Sequence, residues 1–267
     1  MILVYLSIIL LLCYFILHTN TFEGFTVDKN NDFINENKTY HDERIYDEFY
    51  AYIYDDLFLT IPYLEEFILK ISDIINKNSN ILCIGSKTGH VVELLSKSAL
   101  VQGIENSKSM VQISNYKYPT NNYLYGNYLD NSLFKSNQFT HVICPMLTIN
   151  TISDLNQLFE NMNKWLIHKG YFIIMLIDLE NIKVHKLVNK RPSNFFINSF
   201  DYELELHKDN MIDKIKSNNG YQRTDIQTLY PYKEDKIIYI SQINNISYKY
   251  SKNLEGIEGK CMIFQKN

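Results

Sequence analysis

Two glycines and one carboxylate carry the clearest chemical signal in this chain. Ile81-Leu-Cys-Ile-Gly-Ser-Lys-Thr-Gly-His90 reads as an apolar strand that passes through a turn held by Gly85 and Gly89 and continues into a helix. Glu105 ends a second apolar run, Val101-Gln-Gly-Ile-Glu105, 20 residues after Gly85. Glycines in such a turn let backbone approach a ligand closely and present N–H groups at a helix start, which favours a carboxylate. An acidic side chain at the next strand end can accept both hydroxyls of a ribose. Strand, glycine turn, helix and acidic strand end are together the means by which doubly wound α/β folds hold an adenosine-bearing cofactor. The spacing Gly85-x-x-x-Gly89, with His90 where the last glycine of G-x-G-x-x-G belongs, argues against a nicotinamide-dependent oxidoreductase.

The elements that must position these residues follow from periodicity. Tyr46 to Leu57 predicts a helix at the mouth of the domain, and Thr60 caps a second helix with Pro62 in its first turn. Strands are expected at Ile81–Ile84, Val101–Ile104, Tyr123–Gly126, Phe139–Met146 and Tyr171–Ile177, the last an almost continuous apolar run of the kind buried on both faces. Between them lie a helix starting at Gly89, a helix capped by Ser107, and an amphipathic helix from Asp154 to Ile167 that Gly170 stops. After Asp178 the alternation changes. A helix is expected around Ile182 to Val188, followed by antiparallel strands at Phe200–His207, Met211–Lys216 and Arg223–Leu229. Pro231 opens a last helix through Ile240, and two strands, Ile246–Ser251 and Lys260–Gln265, close the chain.

Composition bounds the rest. The 267 residues suffice for one α/β domain with appendages, and 46% hydrophobic residues supply a core. A net charge of −4 gives no electrostatic footprint for nucleic acid. Cys13, Cys83, Cys144 and Cys261 lack CxxC spacing and read as reduced thiols, with no metal site, in a domain that faces the cytosol. Met1 to Leu17 holds no charged side chain and as a helix would be about 25 Å long, so residues 1–18 read as an uncleaved single-pass membrane anchor. A cleaved signal peptide is the rival; no basic residue precedes the run and no small-x-small site follows it. Residues 19–44 are polar and aperiodic, a linker to the domain at 45–267.

The order of elements resembles the class I S-adenosylmethionine-dependent methyltransferases over residues 40–266. Leu82-Cys-Ile-Gly-Ser-Lys-Thr-Gly89 resembles the first motif of that family and Val101-Gln-Gly-Ile-Glu-Asn-Ser-Lys-Ser-Met110 the second. Gly126-Asn-Tyr-Leu-Asp130 with Phe139-Thr-His-Val-Ile143 resembles the third and fourth, and Trp165-Leu-Ile-His-Lys-Gly-Tyr-Phe-Ile-Ile174 the close of the fifth unit. The resemblance implies an α/β Rossmann-like fold: a mostly parallel seven-stranded sheet, helices on both faces, and an antiparallel insertion at 178–230 that covers the substrate. It implies S-adenosylmethionine as cofactor, held by Gly85, Lys87, Gly89 and Glu105, with Asn127 or Asp130 meeting the adenine. Cys144 and Met146 would line the methionine arm, and Tyr46 or Tyr54 would offer the sulfonium an aromatic face. The chemistry is methyl transfer to a small-molecule or membrane-proximal substrate, in which the protein aligns the partners and a general base is optional; His41, His141 and His185 are the candidates. Cys83 and Thr140 stand where the family carries acidic residues, and Lys87 where it carries its middle glycine. Those three departures leave a second reading open, a catalytically inactive member serving as a membrane-tethered binding or scaffold module.

Overall fold

Alternation along the strands sorts side chains between two cores. In the strand Asn80–Ile84 (β2), Ile81 and Cys83 join one buried cluster and Leu82 and Ile84 the other. The strand Leu166–Ile177 (β6) does the same with Ile173, Met175 and Ile177 against Phe172, Ile174 and Leu176. Both are therefore covered on both faces, as a central strand of a doubly wound sheet must be. The computed structural model describes residues 37–58, 61–207 and 209–267. The expected anchor at 1–18, the linker as far as residue 36, Cys13 and the Thr60 cap lie outside them. Among the described residues no helix is long and apolar enough to cross a membrane.

The main sheet has seven strands. To β2 and β6 it adds Leu100–Glu105 (β3), Asn122–Tyr125 (β4), Phe139–Cys144 (β5), Ile246–Asn253 (β10) and Gly259–Lys266 (β11), in the order β10-β11-β6-β5-β2-β3-β4. The pairings from β6 to β4 are parallel and those of β11 with β6 and β10 antiparallel. One face carries the helices Glu48–Phe58 (α1), Ile61–Ile71 (α2) and His90–Ser96 (α3); the other carries Leu155–Trp165 (α5) and Glu234–Ile243 (α7). The helix Lys108–Lys117 (α4) follows β3, and Ser107 caps it by accepting from the Met110 N–H at 3.1 Å. Cys83, Cys144 and Cys261 are free thiols buried in this structure.

The insertion is a second sheet. Phe200–Leu206 (β7), Asn210–Ser217 (β8) and Gln222–Thr228 (β9) pair antiparallel, as their alternation predicts. The strand Asn37–His41 (β1) completes the sheet, parallel to β9. The linker reading of 19–44 is thus corrected at its C-terminal end. Residues 37–41 are a strand and Asp42–Ile45 a 3-10 turn, because the backbone groups of β9 offer the pairing that a polar segment without periodicity does not advertise.

Smaller corrections have local causes. The helix expected at Ile182–Val188 is a 3-10 turn at Val184–Lys186, and a helix appears instead at Asn194–Ser199 (α6), capped by Ser193. The last helix starts at Glu234 rather than Pro231. Gly170 does not stop α5, which ends at Trp165; it lies within β6, in a bulge where β5 pairs first with Leu166 and then with Tyr171. A Cβ there would come within 2.9 Å of the Ile167 carbonyl and 3.0 Å of that of Thr140, so the site requires glycine for close approach.

Candidate functional site

The C-terminal ends of β2 and β3 point at one cleft of about 220 Å³, lined by Tyr46, Lys87, Glu105, Ser107, Tyr128 and Gln227 among others. The turn after β2 runs Gly85 at φ +65°, Lys87 at φ +50° and Gly89 at φ +87°. Gly85 is backed by Thr148 and Gly89 by the Tyr123 ring, each within 3 Å of where a Cβ would sit. Thr148 and Tyr123 therefore pack onto this turn too closely for a side chain at either glycine.

Glu105 is 2% exposed and holds the turn in place. Its Oε2 accepts from the Lys87 N–H at 3.0 Å and its Oε1 from the Ser107 N–H at 3.2 Å. A carboxylate has about four acceptor sites, so each oxygen keeps capacity for one further donor. Lys87, at the position of the family's middle glycine, sends its side chain into the cleft. The ammonium lies 4.1 Å from the centroid of the Tyr46 ring and 4.0 Å from Glu105 Oε2. Burial alone would lower its pKa, but the Glu105 charge outweighs it and holds Lys87 above the ordinary lysine value. The Lys87 carbonyl accepts from Ser114 Oγ at 2.7 Å, so the left-handed backbone is pinned from both sides.

The helix α1 forms the wall above. Ser107 Oγ donates to the Tyr46 carbonyl at 2.7 Å, and Lys117 Nζ reaches Asp55 at 2.6 Å. Tyr46 Oη donates to Gln227 of the second sheet at 2.9 Å. Burial, then Glu105, raises the Tyr46 hydroxyl well above the usual range, so it stays a neutral donor. Beside the cleft is a small apolar recess of about 30 Å³ lined by Tyr50, Tyr54, Phe58, Met146, Met211 and Leu229 among others. A wider depression of about 540 Å³ lies over β6 and β11, but its Glu234 and Glu258 pair with Lys260 and Lys186. No group of three or more metal-ligating side chains occurs among the described residues.

Several expected site residues take other roles. Asn127 and Asp130 are exposed, and their carboxamide and carboxylate accept from the Leu129 and Ser132 N–H groups in local turns. Neither lines the cleft. Tyr128, between them, is buried and does. Cys144 is fully buried and lines none of the cavities, its thiol pushed up by burial. His141 is held by the Ile74 carbonyl at 2.8 Å and stacked on Tyr171, and His41 and His185 are exposed; none of the three lines the cleft. Gln227 and Tyr128 were not legible as site residues, since only the pairing of distant segments brings the first and only the pleat of a short loop turns in the second.

Residues 82–174 match the model of a methyltransferase domain family. No curated protein matches the chain. Among solved structures, an S-adenosylmethionine-dependent methyltransferase from Clostridium acetobutylicum superposes with a TM-score of 0.62 at 15% identity, covering 82% of this chain and 98% of that one. The PH0226 protein from Pyrococcus horikoshii gives 0.59 at 14%, covering 83% and 99%. The CcbJ methyltransferase from Streptomyces caelestis gives 0.58 at 12%, covering 78% and 96%. The fold is that of the S-adenosylmethionine-dependent methyltransferases. Within this fold, the cleft at β2 and β3 sets a turn with two positive-φ glycines against the buried Glu105 carboxylate. Asn106 Oδ1, on the cleft wall, is buried with no protein partner, as an acceptor facing a polar ligand would be. The Lys87 side chain extends into this cleft beside Tyr46.

Proposed function

We propose that this chain binds S-adenosylmethionine in the cleft and transfers its methyl group to a small-molecule or membrane-proximal acceptor. The observation that carries the reading is Glu105, a buried carboxylate at the tip of β3 facing a turn built from two positive-φ glycines. The matched methyltransferase domain model supports it. The cofactor supplies an electrophilic methyl group. The chain's residues do the remainder. Glu105 offers its spare acceptor sites to ribose hydroxyls, and Tyr128 and Tyr46 offer aromatic faces. The second sheet, through Gln227, roofs the cleft against water. The membrane-proximal setting rests on the apolar run at 1–18.

A second reading, a non-catalytic binding module, draws on one observation: the Lys87 ammonium already sits between Tyr46 and Glu105. Calorimetry of the full chain with S-adenosylmethionine separates the two. Saturable binding that weakens tenfold or more in Glu105→Gln supports the enzyme. Absence of heat up to about 1 mM cofactor, where affinity falls to ~4 kcal/mol, sinks it.

A further inference from the structure

The cleft already contains a cation on its aromatic face. Lys87 Nζ lies 4.1 Å over the Tyr46 ring and 4.0 Å from the Glu105 carboxylate, while its side chain is 18% exposed. A ring face paired with a carboxylate is a seat for a positive charge. The side chain reaches it because its backbone is fixed at φ +50° by Glu105 on its N–H and Ser114 on its carbonyl. Lys87 also lines the apolar recess and a third small cavity behind Gly85, so it stands at the junction of all three. The other carboxylates at the cleft wall are Asp42 and Glu43, and Tyr46, Tyr128 and Tyr230 line it as well. Asp42 is committed to the Thr228 N–H at 2.7 Å and to Gln227. Glu43 is exposed, so the buried Glu105, 4.0 Å from the ammonium, is the carboxylate that balances Lys87, and the seat holds one positive charge without a ligand. The cleft volume of about 220 Å³ with Lys87 in place is below the ~300 Å³ at which small-molecule pockets begin.

We propose that Lys87 is a resident cation that stays in this cleft and selects against positively charged ligands: its charge admits an adenosine thioether in preference to the corresponding sulfonium, and its bulk weakens the binding of both. The inference rests on the reading of the cleft as the S-adenosylmethionine site. It makes charge at the sulfur, in place of the adenosine moiety, the feature the protein discriminates.

Two ligands and two variants test it. S-adenosylhomocysteine is the neutral thioether and S-adenosylmethionine the sulfonium; calorimetry on the full chain measures both. Lys87→Met keeps the length and removes the charge, whereas Lys87→Gly removes both and suits the positive φ. The melting temperature without ligand reports that each variant is folded. The decisive quantity is the ratio of the two dissociation constants. The expected result is a ratio favouring the thioether in the native chain, reduced tenfold or more in Lys87→Met, with both ligands binding at least tenfold tighter to Lys87→Gly. A ratio unchanged by Lys87→Met, or tighter binding to the native chain than to Lys87→Gly, overturns the inference and leaves the methyltransferase reading standing. No binding of either ligand to any of the three proteins overturns both.

Discussion

Asp213 shows how much a single residue can be asked to bear beneath the cleft. It is fully buried and accepts from Tyr50 Oη at 2.8 Å and Tyr202 Oη at 2.5 Å. Burial lifts its carboxyl to about 6, against the pull of those hydroxyls and of Arg223. The folded state thus binds this proton more tightly than the unfolded chain does. Stability from this site is highest below the unfolded carboxylate range, declines as pH rises toward 6, and is constant above it. We expect urea unfolding to show the native protein losing on the order of 2 kcal/mol relative to Asp213→Asn between about pH 4 and pH 7; parallel pH profiles for the two would refute this. At this scale the sequence was uneven. The positions of Gly85 and Gly89 in the turn and of Glu105 at the strand end were readable, because a turn and a strand end leave few other residues able to sit there. Asn127 and Asp130 misled, since short polar side chains satisfy their own loop first. The direction of Lys87 depends on Glu105, Ser114 and Tyr46, contributed by three other segments, so no local pattern encodes it.

Elements were more legible than their ends. Every strand of the main sheet was anticipated; for the central ones the signal is an apolar run dictated by burial on two faces, whereas the half-exposed edge strands β4 and β10 are marked by their flanking turns. The 3-10 turn at Val184–Lys186 and the delayed start of α7 escaped, as both are settled by what packs above them. Gly170 illustrates the difference between a residue read correctly as special and one read for the right reason. It marks close backbone approach inside β6, with the Ile167 and Thr140 carbonyls nearby. Gly170→Ala is therefore expected to destabilise the protein by about 1–3 kcal/mol through overpacking. Thermal unfolding measures the loss, and a melting temperature unchanged by the substitution refutes the close-approach reading.

At the scale of the molecule, Arg223 joins the second sheet to the segment before α1. Its Nε donates to both Asp225 oxygens at 2.8 and 2.7 Å, and its terminal nitrogens to Asp47 and to the Ile45 carbonyl, each at 2.7 Å. The Tyr40 ring stacks on the guanidinium at 4.2 Å. Removing one member leaves a buried charge unpaired, so Arg223→Met should cost about 3–5 kcal/mol in urea unfolding, with part recovered in the double variant that adds Asp225→Leu. If the double variant is no more stable than the single one, the ion pair is not the source of the loss. The pairing of β1 with β9 has a consequence in time. Asn37 meets Gln222, 185 residues later. At ribosomal rates of about 5–20 residues per second, the first described strand waits roughly 10–40 s for its partner to be made. Asp42, which follows β1, cannot bond Thr228 before then either. The roof over the cleft is thus among the last parts of the molecule to be assembled, and it is completed by one of the earliest-made segments.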